Sequence, residues 1–146
     1  MYVAELKTRK YRARKAPGIT KPEEVARLVR KSIEDPKREH FFALLLTTRH
    51  TVIGIETISV GSLNASIVHP REVFRPAIVQ SAASIILAHN HPSGDTAPSD
   101  DDMEITIRLV DAGKLLGIAI LDHVIVGGER AFLSFREKGL LDPTSF

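Results

Sequence analysis

Residues able to bind a metal and to activate water crowd into one stretch, positions 89–102 of the 146-residue chain. It reads His89-Asn90-His91-Pro92-Ser93-Gly94-Asp95-Thr96-Ala97-Pro98-Ser99-Asp100-Asp101-Asp102 and follows the apolar run Ser84-Ile85-Ile86-Leu87-Ala88. On a strand, positions i and i+2 share a face about 6–7 Å apart at the backbone, so His89 and His91 can converge on one metal ion. The carboxyl end of a strand is also where α/β folds place their sites. Asp102 can add a carboxylate from the first turn of a helix that Ser99 would open. Two imidazoles, one carboxylate and an open fourth position make a catalytic zinc site rather than a structural one. Zinc in such a site lowers the pKa of its water to about 7. A general base must then stand near that water. Glu56 is the candidate, because it follows the apolar segment Val52-Ile53-Gly54-Ile55, where a charge is costly unless it has a task. Ser99 can donate a hydrogen bond to the oxygen that becomes negative as a carbonyl is attacked.

Each feature also has a plainer explanation. Ser99-Asp100-Asp101-Asp102 suits a capped helix start, where acidic residues complement the helix dipole. A His-x-His pair can be no more than two polar residues ending a strand, and Glu56 can sit on a strand's solvent face. Chance accounts poorly for all of them together at this spacing.

The elements that must position these residues follow from hydrophobic periodicity. Thr20 is placed as an N-cap, with Pro22, Glu23 and Glu24 in the first turn. Val25, Leu28, Val29 and Ile33 recur at helical spacing, which predicts a helix over 21–34. The runs 41–46 and 52–60 form a hairpin around Thr48-Arg49-His50. A short strand is expected at 66–69, and 70–83 is mainly helical despite Pro76. Residues 84–88 are the central strand, and Ser99 opens a long helix ending near Gly113 and Gly117. Two further strands surround Asp122-His123 and cover 131–135, and a weakly alternating edge strand is expected at 1–8. Alternating helices and strands make the class α/β with a mixed sheet.

Composition bounds the function. The length suits one domain with a real core. No apolar run is long enough to span a membrane, and no signal-peptide pattern opens the chain, so the cytoplasm is the expected location. There is no cysteine, so any zinc must be held by histidine and carboxylate. The net charge of +2 is uneven: residues 1–15 carry a net +5 and the remainder a net −3. A basic arm of this kind can touch nucleic acid or serve as a solvated leader, and Tyr11 alone among its charges offers little base stacking.

The pattern His89-x-His91-x7-Ser99-x2-Asp102 resembles, without a gap, the JAMM motif of the MPN family of zinc metallopeptidases. Longer text sharpens this. Gly61-Ser62-Leu63-Asn64-Ala65-Ser66, His69-Pro70-Arg71-Glu72-Val73-Phe74, His89-Asn90-His91-Pro92-Ser93-Gly94-Asp95 and Leu121-Asp122-His123-Val124-Ile125-Val126-Gly127 are similar to the bacterial RadC family, from about residue 20 to the C-terminus. The resemblance implies a JAMM/MPN domain over 20–146 behind a basic arm at 1–19, in a cytidine-deaminase-like three-layer fold with helices flanking the mixed sheet. It implies that His89, His91 and Asp102 hold zinc, that Ser99 assists the oxyanion, and that an upstream glutamate, here Glu56, acts as base. It prefers Asp102 over Asp95, Asp100 and Asp101 as the carboxylate ligand. The implied activity is hydrolysis of a peptide or isopeptide bond.

Longer RadC-like proteins carry a helix-hairpin-helix-type region before this domain, so this chain is expected to be the catalytic domain alone. His69 and His123 fall within the RadC-like text but outside the ligand set. For Asp122 and His123 both support of a metal ligand and simple packing stand open. His40 and His50 read as loop residues. Three rival functions remain: a DNA-repair-associated protein using the basic arm, a non-catalytic MPN interaction module, and a zinc deaminase, which would ordinarily use the cysteine ligands missing here.

Overall fold

The structure is a computed structural model and describes residues 8–10 and 18–141. Most of the basic arm, with its nucleic-acid expectation, Tyr11 and all but Thr8 of the edge strand expected at 1–8, lies outside the described residues; of residues 1–19 only Thr8–Lys10, a strand, and residues 18–19 are described. The elements run β1 (Thr8–Lys10), α1 (Pro22–Ser32), β2 (His40–Leu46), β3 (Val52–Val60), α2 (Pro70–Val79), β4 (Ser84–Asn90), α3 (Asp100–Leu116), β5 (Ala119–Val126) and β6 (Phe132–Ser134).

The six strands form one sheet in the order β1-β3-β2-β4-β5-β6. Only β4 and β5 pair in parallel, joined across one face by α3; the other neighbours are antiparallel. The sheet is therefore mixed, as expected. β2 and β4 are buried along their whole length, which is why they read as unbroken apolar runs. Alternate residues feed two cores. Phe41, Ala43, Leu45, Ile85 and Leu87 pack against Val73, Phe74 and Ala77 of α2 and Ile105 and Leu109 of α3. Phe42, Leu44, Leu46, Ile86 and Ala88 pack against Val25, Ala26 and Val29 of α1. The result is the three-layer helix–sheet–helix arrangement. Among the described residues no helix is long and apolar enough to cross a membrane.

Four local expectations change. Thr20 is not the N-cap of α1; Lys21 is, and the Thr20 hydroxyl instead donates to Glu24 Oε1 at 2.8 Å. Residues 66–69 are not a strand, because the Asn64 side chain accepts from both the N–H and the hydroxyl of Ser66 and folds the segment into a turn. His40 is not a loop residue: it begins β2, buried, its ring stacked on Phe42 at 5.9 Å. The central strand runs two residues further than read, to Asn90. Pro76 lies inside α2, which ends three residues later at Val79.

Candidate metal centre

Strand parity delivers the first histidine. His89 shares its face of β4 with Ile85 and Leu87, so its ring enters the layer occupied by α2 and α3, fully buried. His91 follows the strand by one residue, and its N–H still bonds Val126 C=O at 2.9 Å, which keeps the backbone extended enough to present the second ring on the same side. α3 supplies the carboxylate. Its first turn holds a reciprocal cap: the Asp102 N–H donates to Ser99 Oγ at 3.0 Å, and the Ser99 N–H donates to Asp102 Oδ2 at 2.9 Å. The helix start that offered a plain explanation of Ser99 and Asp102 is therefore present. It also aims the Asp102 carboxylate at the histidines.

The three groups converge. His89 Nε2 lies 2.9 Å from His91 Nε2 and 3.2 Å from Asp102 Oδ1, and His91 Nε2 lies 3.0 Å from Asp102 Oδ2. Zinc bonds of about 2.05 Å directed to the corners of a tetrahedron put those corners about 3.3 Å apart. The donor triangle is thus close to one face of such a tetrahedron. His91 Nδ1 lies 2.7 Å from the carbonyl of Asp95, an acceptor only, so Nδ1 carries the hydrogen. In the neutral ring Nε2 is then a bare lone pair, facing a carboxylate and a second imidazole nitrogen. A cation satisfies such a cluster, and His89, His91 and Asp102 can hold a metal ion. Asp100 and Asp101 are exposed in the first turn of α3, and the Asp95 carboxylate caps its own turn at Ala97 N–H.

The electrostatics agree. Burial raises the Asp102 carboxyl, but the proximity of the His89 and His91 rings and the hydrogen bond from the Ser99 backbone outweigh it and hold the group well below the usual carboxylate range. The Asp102 hydrogen bond raises His91 above its ordinary value.

Ser99 sits at the rim, exposed, its oxygen accepting from Asp102 N–H and its own hydrogen left to donate. Glu56 is placed elsewhere. It pairs with Ala43, which pairs with Leu87, whereas His89 pairs with Phe41. Two strand spacings and two rungs separate Glu56 from His89, about 12 Å between Cα atoms. The Glu56 side chain is buried, and Gln80 Nε2 donates to its Oε1 at 2.8 Å.

Glu39, passed over in the sequence, is near enough to His91 for its charge to act on that ring. The pairing of Phe41 with His89 and Phe42 with Ala88, continued past the strand end, sets Glu39 opposite His91 on the histidine face. Its charge adds to the rise of the His91 pKa. Leu63 N–H donates to Glu39 Oε2, which fixes the carboxylate and leaves Oε1 without a hydrogen bond among the described residues. The available signal was parity: Glu39, Phe41 and Ala43 share one face of a strand whose open end begins with an acid.

Residues of the same motif hold these parts in place. Asn90 turns to the opposite face, where its Oδ1 accepts His40 N–H at 2.7 Å and its Nδ2 donates to Arg38 C=O at 2.9 Å. Asn90 thus brackets Glu39 from both sides along the backbone. The His91–Thr96 loop rests on Gly127, where a Cβ would lie 2.4 Å from Gly94 O and 2.7 Å from Thr96 Cγ2. His69 is the N-cap residue of α2 and makes no side-chain cap bond. Asp122, whose carboxyl burial pushes upward, clamps β6 by accepting from the Ser134 hydroxyl at 2.6 Å and Arg136 N–H at 3.0 Å. His123 lies directly behind His89, its Nε2 2.8 Å from His89 Nδ1; burial, and then the proximity of His89, lower its pKa well below the ordinary value.

Comparison with known proteins points the same way. The family described as RadC-like JAB domain matches residues 19–140. A UPF0758 protein of Caldanaerobacter subterraneus subsp. tengcongensis is 55% identical over 125 residues, covering 86% of this chain and 53% of its own length. One from Desulforamulus reducens is 54% identical over 120 residues, 82% of this chain and 52% of its own length. One from Alkaliphilus metalliredigens is 54% identical over 123 residues, 84% and 53%. The chain spans about half the length of these relatives. Fold, donor cluster and sequence agree on one assignment: this chain belongs to the RadC-like JAB domain family.

Proposed function

We propose that this domain is a zinc-dependent hydrolase of the JAMM type, cleaving the amide of a peptide or isopeptide. The observation that carries the reading is the convergence of His89, His91 and Asp102 within 3.2 Å of one another, with the charge of Glu39 acting on His91 and the Glu39 Oε2 accepting the Leu63 N–H. Bound zinc supplies Lewis acidity and a nucleophilic water at neutral pH. The protein does the rest. Glu39 Oε1 takes the proton of the attacking water and returns it to the leaving nitrogen, while Leu63 N–H keeps Oε2 in place. The Ser99 hydroxyl, anchored through the helix cap, donates to the developing oxyanion. Glu39 replaces Glu56 as the proposed base, because the register favours it.

The test combines metal analysis with two conservative substitutions. Protein purified without chelator should carry about one zinc per chain. Glu39→Gln should keep that zinc and lose turnover of amide and isopeptide test substrates by about 10²–10⁴-fold, while Glu56→Gln stays near wild type. Zinc-free protein that fails to take up zinc ends the metal reading. Loss of turnover in Glu56→Gln alone, with zinc retained, returns the base to Glu56.

A further inference from the structure

We infer that His123 and Thr106 are positioning residues for His89, fixing its tautomer and ring plane through a buried chain of hydrogen bonds; this rests on the metal reading above. Thr106 lies one turn along α3 from Asp102, and its Oγ1 is 2.7 Å from the Asp102 carbonyl. That carbonyl can only accept, so the single hydroxyl hydrogen goes there. Thr106 Oγ1 also lies 2.6 Å from His123 Nδ1, and with its hydrogen engaged it acts as acceptor. His123 Nδ1 therefore carries the ring hydrogen, and a neutral imidazole then has a bare Nε2. That Nε2 faces His89 Nδ1 at 2.8 Å, so His89 is protonated on Nδ1 and bare on Nε2. His89 Nε2 is the atom that points at His91 and Asp102.

The placement of His123 is built into the fold. β5 carries an extra residue against β4: Ile85 pairs with Ile120, but Ile86 pairs with Asp122. The bulge at Leu121 reverses the parity of the rest of the strand. Without it His123 would face α1. With it, His123 pairs with Leu87 and shares the face of His89. The ring is fully buried, stacked on Phe135 at 4.6 Å and met edge-on by Phe41 at 5.8 Å. The Asp122 carboxylate accepts the His123 N–H at 2.7 Å and pins the bulge.

Thr106→Val keeps the shape and removes the acceptor. The buried His123 Nδ1–H is then unsatisfied, and moving the hydrogen to Nε2 aims it at His89 Nδ1. His89 must then carry its own hydrogen on Nε2, where it blocks the metal. The experiment is zinc affinity by chelator competition, with ¹⁵N NMR of the histidine rings in metal-free and zinc-loaded protein, for wild type, Thr106→Val and Thr106→Ser. Thr106→Val should bind zinc about 10–100-fold more weakly and lose the single His123 Nδ1–H tautomer. Thr106→Ser, which keeps the hydroxyl, should restore both. Unchanged affinity and unchanged ring signals in a folded Thr106→Val overturn the inference. A wild type that binds no zinc overturns the metal reading instead, and the metal-free ring signals still decide the chain of hydrogen bonds.

Discussion

Asp102→Asn separates the two tasks of Asp102, ligand and helix cap. In the folded protein Oδ2 accepts the Ser99 N–H at 2.9 Å while Oδ1 faces His89 Nε2 at 3.2 Å. An asparagine can keep its amide oxygen on the Ser99 N–H and turn its NH₂ to the bare His89 nitrogen. The cap survives, so the metal-free protein should lose less than about 1 kcal/mol, or about 3 °C in Tm for a chain of this size. Zinc binding responds differently. At a zinc concentration of 100 times Kd, wild type gains about 2.7 kcal/mol, which is about 8 °C. Outer support of a metal ligand is worth 10–100-fold in affinity, so loss of the anionic ligand itself should cost at least about 100-fold. The same zinc concentration then stabilises the variant by only about 0.4 kcal/mol, about 1 °C. Thermal melts of both proteins with and without zinc at pH 8 measure this. Equal zinc shifts would refute Asp102 as ligand. A large fall in the metal-free Tm would show that the carboxylate acts chiefly on the helix.

Two further outcomes rest on the same geometry. Metal-free protein should be most stable near pH 6.5. Above that, folded His91, with its pKa raised by Asp102, holds a proton the unfolded chain has released, so stability falls as pH rises. Below it, buried His123 stays neutral while the unfolded chain takes up a proton, so stability falls with pH at about 1.4 kcal/mol per unit until the folded His123 titrates. Denaturant melts from pH 5.5 to 8.5 that vary in one direction throughout would contradict this. Gly127→Ala should cost about 1–3 kcal/mol and weaken zinc binding, because its Cβ would press on Gly94 O at 2.4 Å and displace the loop whose Asp95 carbonyl orients His91. Gly128→Ala, whose Cβ meets nothing nearer than 3.8 Å, is the control; equal effects in the two variants would remove the loop from the explanation.

How much of this was legible in the sequence depends on the range of the interaction. His89, His91, Ser99 and Asp102 declare themselves because a strand end and a helix cap are local, and their spacing alone sets the donors side by side. The layers were legible because β2 and β4, buried on both faces, leave unbroken apolar runs. Glu39 was not, because its place depends on β2 pairing antiparallel with β4, a partner some 50 residues distant. A search for a charge inside a strand leads to Glu56. The base proposed in its place lies at the strand's open end, where Asn90 and Leu63 N–H hold the segment around Glu39. His123 was hidden by a different cause. Counting parity along β5 from Ile120 turns it away from His89, and only the extra residue at Leu121 turns it back. The same bulge explains why Leu121 and Asp122 both leave the histidine layer, and why an acid there can clamp β6 without entering the metal centre. A one-residue irregularity in pairing thus places a fully buried histidine behind a candidate metal ligand, and no local pattern in the residues around Asp122-His123 records it.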